Sequence, residues 1–207
     1  LAFMGSCLGL SRAQPETHFL NLDIGGGTTN LALGINGDVI RTGCLFAGAR
    51  HFQFVPGTYR ITALSSYAAR LLKDLKIDRS IGDSLSPNEL RSILDFYAEL
   101  IEAAVCGDRS RLDHDPFRYH EQVPFTPPPD VASPVITLSG GVGELVYNQI
   151  RGEPLPATTA FGDLGIDLAR RLIQSSVLSR HLRTAVPMNF GHATVYGLSL
   201  HGTEVSG

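Results

Sequence analysis

The sequence predicts an α/β fold, an antiparallel three-stranded meander that continues into a mixed sheet flanked by helices. Three features point there. Apolar runs of strand length are joined by glycine-rich turns near the N-terminus, apolar residues recur at helical spacing through the middle, and a late apolar run leads straight into glycines and a helix. With 43% hydrophobic and 18% charged residues among 207, the chain has the material for a real core.

The elements follow in order. Leu1–Leu10 (LAFMGSCLGL) is apolar but lacks a basic segment before it, so it reads as the cut end of something longer. His18–Ile24 and Asn30–Ile35 are strands, joined by Gly25-Gly26-Gly27-Thr28-Thr29, where the backbone can reverse tightly. A third strand over Asp38–Cys44 follows Asn36-Gly37, a strong two-residue hairpin signal. Leu64, Tyr67, Ala68, Leu71, Leu72 and Leu75 form one helical stripe, with Thr62 as its expected cap. Ser86-Pro87-Asn88-Glu89 supplies a cap, a first-turn proline and a glutamate reaching back, and Leu90, Ile93, Leu94, Tyr97, Ile101, Ala104 and Val105 trace the buried face that follows. From Gly107 to Pro134 the pattern dissolves into charges and prolines, so 107–134 is expected to be an irregular surface excursion within a single unit over 1–207. Val135–Leu138 is a buried strand running into Ser139-Gly140-Gly141-Val142-Gly143-Glu144 and a short helix through Ile150. A longer helix carries Leu164, Leu168, Ala169, Leu172, Ile173 and Val177, and Gly202–Gly207 looks like the start of a strand.

Charge and cysteine usage narrow the function. Seventeen basic side chains against 20 acidic give a net charge of −3, which excludes nucleic-acid binding through a broadly basic surface. Cys7, Cys44 and Cys106 have no metal or disulfide spacing, so a reducing cytoplasm is the expected setting. No apolar run approaches the roughly 20 residues a membrane-spanning helix needs, and no membrane partner is expected.

The two glycine turns carry the chemistry. A glycine-threonine turn packs backbone N–H groups into a concave nest with hydroxyl donors beside it, which suits polyphosphate oxygens. Asp23, at the end of the preceding strand, can hold the magnesium that accompanies a nucleotide. At residues 140 to 143 the missing side chains let a purine and ribose lie against the backbone, with Glu144 free to accept from a hydroxyl. Either turn alone is commonly no more than a turn; the pair is a stronger signal. There is no GxxxxGK[ST], Gly141-Val142-Gly143 lacks the third glycine of GxGxxG, and Ser139 sits outside any GxSxG elbow. His114 and His120, among Asp113, Asp115 and Glu121, read as a solvated loop more readily than as a metal cluster. Arg170, Arg171, Arg180 and Arg183 read as the hydrated face of the last long helix.

Leu20–Asn30 (LNLDIGGGTTN) resembles the second phosphate motif of the actin, Hsp70 and sugar-kinase superfamily, and Leu138–Glu144 (LSGGVGE) resembles its adenosine motif. Within that superfamily the chain resembles the ethanolamine ammonia-lyase reactivating factors, a family of ethanolamine utilization proteins. Gly5-Ser6, Cys44-Leu45, Phe161-Gly162-Asp163-Leu164-Gly165 and Ala193–Gly197 through Glu204–Gly207 extend the likeness over nearly the whole chain. Two departures stand out. Ala47-Gly48-Ala49-Arg50 occupies the place of an expected Gly-Gly-Arg element, and no first phosphate motif is present, so the chain resembles the second lobe alone.

The resemblance implies a ribonuclease H-like, actin/Hsp70-type ATPase lobe whose first lobe is absent. It implies a chaperone-like factor that uses ATP/ADP and Mg2+ to exchange damaged cobalamin for intact cofactor in ethanolamine ammonia-lyase, its protein partner. The setting would be cytoplasmic, extending to association with a bacterial microcompartment, with homo-oligomerisation left open. Gly25, Gly26, Gly27, Thr28 and Thr29 would hold phosphates, Asp23 would order magnesium or the attacking water, and Gly140, Gly141, Gly143 and Glu144 would border the nucleoside. ATP hydrolysis is expected of the full-length protein, with little or none from this lobe alone. An actin-like assembly protein and a small-molecule kinase are the alternatives in the same superfamily.

Overall fold

The computed structural model describes residues 1–131, 133–188 and 191. Two short helices, α1 (Ala2–Ser6) and α2 (Leu8–Ala13), precede the meander β1 (Phe19–Ile24), β2 (Thr29–Ile35) and β3 (Asp38–Leu45). The β2–β3 turn is the Asn36-Gly37 pair, both left-handed at φ 51° and 86°. Two such residues give a hairpin turn whose twist matches its strands. The β1–β2 turn closes when the Gly25 amide donates to the Thr28 carbonyl at 2.9 Å, just beyond the Ile24–Thr29 pair.

A separate hairpin of β4 (Phe52–Phe54) and β5 (Ile61–Leu64) comes next. It corrects the expected helix start. Thr62 lies inside β5, Leu64 ends that strand, and the cap of α3 (Ser66–Asp74) is Ser65, whose Oγ accepts from the Ala68 amide at 3.1 Å. Leu64 fits the helical stripe by spacing alone, whereas an N-cap must have extended backbone and a free side-chain oxygen, which Ser65 supplies. In α4 (Pro87–Cys106) the capping box forms as predicted, with the Glu89 carboxylate accepting from the Ser86 amide at 2.7 Å. Such a cap contributes about 1 kcal/mol. Gly107, left-handed at φ 65°, ends the helix.

The stretch 107–134 is not merely irregular. It holds α5 (Arg109–Leu112), α6 (Phe117–His120) and β6 (Glu121–Val123), and β6 pairs antiparallel with the outer side of β3. Phe125 is fully buried, and so is His120, contrary to the solvated-loop reading; its Nδ1 donates to the Phe46 carbonyl at 3.0 Å. Local charge density hid these contacts because the partners lie far away in sequence. Among the described residues, no group of three or more His, Cys, Asp or Glu is placed to hold a metal.

β7 (Val135–Ser139) runs parallel to β1 and completes a five-stranded mixed sheet ordered β6-β3-β2-β1-β7. α7 (Gly140–Ile150) packs on α8 (Gly165–Ile173), and α8 on α4. α8 stops before Val177, so Arg180 and Arg183 lie beyond it, while Arg171 pairs with Asp95 at 2.6 Å. The expected closing strand at 202–207 falls outside the described residues, as does 193–197. Leu20, Leu22 and Ile24 join the main core, each worth about 1.5–3 kcal/mol of burial, and Phe19 packs with Phe3 and Cys7 in a second cluster. Asn21 and Asp23 share Phe19's side by strand alternation. Among the described residues, no helix is long and apolar enough to cross a membrane.

Candidate functional site

Parallel pairing of β1 with β7 sets Asp23 opposite Ser139, so the turns that follow the two strands emerge side by side. Gly140 makes the close approach feasible. It is left-handed at φ 79°, and a Cβ there would lie 2.6 Å from the Ile24 carbonyl oxygen. A cavity of about 600 Å³ opens beside the turns, lined by Gly25 and Gly26, by Gly141, Val142, Glu144 and Asn148 of α7, and by Ala49, Arg50, Phe161 and Asp163. That volume suits a small-molecule site at the carboxyl ends of strands.

The triple-glycine turn is held from behind by three consecutive residues. The Gly25 carbonyl accepts from the Ala49 amide at 3.1 Å and the Gly26 carbonyl from the Arg50 amide at 2.7 Å. The Gly27 carbonyl is bonded to His51 Nε2 at 2.7 Å. In a trans peptide the N–H points opposite to the C=O, so the amides of Gly26, Gly27 and Thr28 face away from the 49–51 turn. Among the described residues, these three amides have no acceptor. Such a row is an anion-binding nest. The turn at 49–51 can come this close only because residue 48 is glycine: a Cβ there would sit 2.5 Å from the Gly26 carbonyl oxygen.

The expected site residues divide. Gly25, Gly26, Gly141 and Glu144 meet in the one cleft. Gly27 is exposed at the turn's tip, and Thr28, half-buried, accepts from Asn30 Nδ2 at 3.3 Å. Thr29 faces the other way: it is fully buried and its hydroxyl donates to the Ala47 carbonyl at 2.7 Å, which takes it out of the phosphate set. Gly140 and Gly143 are not cleft residues but packing positions, the second because a Cβ would lie 3.1 Å from the Leu138 carbonyl carbon. Asp23 borders a neighbouring cavity of about 420 Å³ with Asn21, Asn30, Thr42 and Cys44.

A line of buried polar groups holds that carboxylate. Thr137 Oγ1 donates to Asn21 Oδ1 at 3.0 Å, Asn21 Nδ2 donates to Ser139 Oγ at 2.9 Å, and Ser139 Oγ donates to Asp23 Oδ1 at 2.8 Å. The bonds that Asn21 and Ser139 donate run toward the acid, an arrangement in which each bond polarises the next. Cys7 Sγ, 2.9 Å from Thr137 Oγ1, stands at the far end, and burial pushes its thiol pKa up.

Sequence reasoning missed three participants. Arg50, named from the sequence only as part of a departure from the family's pattern, reaches Asp163 at 3.5 Å with its side chain 73% exposed, so the pair adds little stability and leaves a cation at the cleft. Asp163 also accepts from the Gly165 amide at 2.9 Å, an acid ahead of a helix that its position could have flagged. His51 is buried, with no local pattern to announce it.

The family model for ethanolamine utilisation protein EutA matches residues 1–207. The chain belongs to the EutA family. Two curated EutA proteins, both named ethanolamine ammonia-lyase reactivase EutA, align over most of it. The Salmonella typhimurium (strain LT2) protein is 31% identical over 94% of this chain, and that of Escherichia coli (strain K12) is 30% identical over 91%. The chain spans about two fifths of the length of these relatives, 39% and 38% respectively. Solved structures superpose loosely. A PilM-PilN type IV pilus biogenesis complex gives a TM-score of 0.42 at 13% identity, covering 97% of this chain and 50% of that one. MreB 5 of Spiroplasma citri bound to AMPPNP gives 0.36 at 17% identity, covering 89% and 60%. Overlap at this level carries no argument about the site.

Proposed function

We propose that this chain is the second lobe of a chaperone-like reactivating factor for ethanolamine ammonia-lyase, and that the cleft beside its two glycine turns binds ATP or ADP. One observation carries the nucleotide reading: turns from distant parts of the sequence open into a single cavity, Gly25 and Gly26 contributing to it with Gly141 and Glu144. The residues present suit the ligand. The amides of Gly26, Gly27 and Thr28, without an acceptor among the described residues, match phosphate oxygens, Arg50 adds a cation, and Phe161, 58% exposed on the cleft, offers an aromatic face to a base. The family and its curated relatives' names support the lyase as partner.

Nucleotide with magnesium would supply phosphoryl transfer to water, a reaction in which positioning and charge stabilisation do most of the work. Asp23, oriented by Ser139, is the group that would order magnesium or the attacking water. Magnesium needs only one or two carboxylates when phosphates complete its shell, so the single carboxylate of Asp23, on the cavity next to the cleft, would be enough. Nucleotide turnover would then drive exchange of damaged cobalamin in the partner through movement between lobes.

The test adds the full natural polypeptide, ATP, magnesium and fresh adenosylcobalamin to cyanocobalamin-blocked lyase. Deamination should return only with ATP, and Asp23→Ala should abolish the return while circular dichroism stays unchanged. Recovery without ATP overturns the nucleotide role, and recovery with the variant overturns the role of Asp23. ATP-dependent light scattering without any effect on the lyase would point to an assembly protein. Phosphorylation of a sugar or acid would point to a kinase.

A further inference from the structure

We infer that His51 is a positioning residue for the triple-glycine turn, holding the Gly27 carbonyl back so that the Thr28 amide stays presented to an anionic ligand. The inference rests on the nucleotide reading above and adds a residue to it.

The three carbonyls of the turn are not held in the same way. Those of Gly25 and Gly26 accept from backbone amides, which almost any residue at 49 and 50 would supply. That of Gly27 accepts from a side chain. On its glycine side the peptide between Gly27 and Thr28 is open, since a Cβ added at Gly27 would meet no atom within 4 Å. Glycine tolerates either orientation of such a peptide. Turned over, it would aim a carbonyl oxygen where an anion expects a donor. His51 therefore favours the orientation in which this carbonyl points back and the Thr28 N–H points outward.

The surroundings select one form of the ring. A carbonyl only accepts, so Nε2 must carry the proton, and Nδ1 of the neutral ring then accepts from the Ser65 hydroxyl at 2.7 Å. Ser65 Oγ in turn accepts from the Ala68 amide at the start of α3. Each nitrogen of His51 has a partner, and Ser65 uses one oxygen both to cap the helix and to fix the tautomer. The main chain is anchored as well, the Ser65 amide donating to the His51 carbonyl at 3.0 Å. Tyr67 and Tyr97 flank the imidazole with ring centroids at 5.6 and 6.3 Å. Burial keeps the ring neutral by lowering its pKa.

The experiment measures ATP, ADP and adenosine binding, with magnesium, by calorimetry on the full natural polypeptide and its His51→Phe and His51→Gln variants. Phe keeps a ring between the two tyrosines but has no donor, and Gln restores an N–H at similar reach. Loss of one hydrogen bond that orients a donor should weaken ATP and ADP binding about tenfold in His51→Phe, leave adenosine unchanged, and be restored to within about threefold in His51→Gln. A merely structural role would weaken all three ligands together. That result, a Gln variant as weak as Phe, or a Phe variant equal to the unmodified protein overturns the assignment to His51 alone. Failure of the unmodified protein to bind either nucleotide overturns the nucleotide reading and this role with it. Should His51→Phe not fold, nitrogen NMR of the unmodified protein decides: a proton on Nε2 supports the role, and one on Nδ1 overturns it.

Discussion

The two glycine turns look alike on paper and differ in what their glycines are for. At Gly25 an added Cβ would meet nothing nearer than 3.7 Å, and at Gly141 nothing within 4 Å; both line the cleft. At Gly140 it would strike the Ile24 carbonyl at 2.6 Å and at Gly143 crowd Leu138 at 3.1 Å; neither lines it. In the second turn, then, two of three glycines answer to the packing of β1, β7 and α7, and one to open space. In the first, the bareness of Gly25 and Gly27 has no steric reason among the described residues. A glycine the fold does not need is the better pointer to a ligand.

This contrast can be broken most directly at Gly140. Gly140→Ala combines a left-handed backbone with a backbone oxygen inside contact distance, and is expected to cost about 3 kcal/mol or more. A melting temperature equal to that of the unmodified protein would remove the distinction. Gly141→Ala should instead leave stability within about 0.5 kcal/mol, because it sits in a helix with free space around it, yet lower nucleotide affinity about tenfold by crowding the cleft. Equal binding by the two proteins would show that this wall is not used.

A smaller effect sharpens the comparison through pH. His51 and His120 are buried near the first turn and the residues behind it, while His181 Nδ1 accepts from the Ile136 amide on β7 at 3.2 Å. Burial lowers all three pKa values. The unfolded chain therefore takes up protons first as pH falls through about 6.5, so stability is full above that value and declines below it toward the folded-state values. Urea midpoints should be lower at pH 5.5 than at pH 7.5, and His51→Gln should shrink the difference. An unchanged difference would mean that His51 does not contribute to it.

The meander was legible because its determinants are local. Asn36-Gly37 requires two left-handed residues, and Gly25–Thr28 spans a single turn. The Ser86–Glu89 box and the apolar face of α4 were equally plain, since both signals lie within one element. Four of the expected residues, Gly25, Gly26, Gly141 and Glu144, line one cleft, and what brings them together is the β1–β7 register, which no local pattern shows. What stayed hidden depends on distant partners. β6 is three residues long, too short for a period, and takes its identity from β3. His51 contacts Gly27 across 24 positions, and Arg50 meets Asp163 across more than a hundred. Thr29 misled because a hydroxyl beside glycines suits phosphate by type, while strand alternation sends it inward to Ala47.

The short strand β6 has a bearing on how this protein can be handled. It lies along the outer rim of β3, whose Val39 and Ile40 are 39% and 43% exposed, and so occupies part of the hydrogen-bonding edge that another molecule's strand would otherwise find. The proline-rich stretch around it looks like the obvious place to trim when making a tidier protein. Cutting there would strip a guard from the sheet and invite clumping between molecules, with the glycine turns themselves untouched.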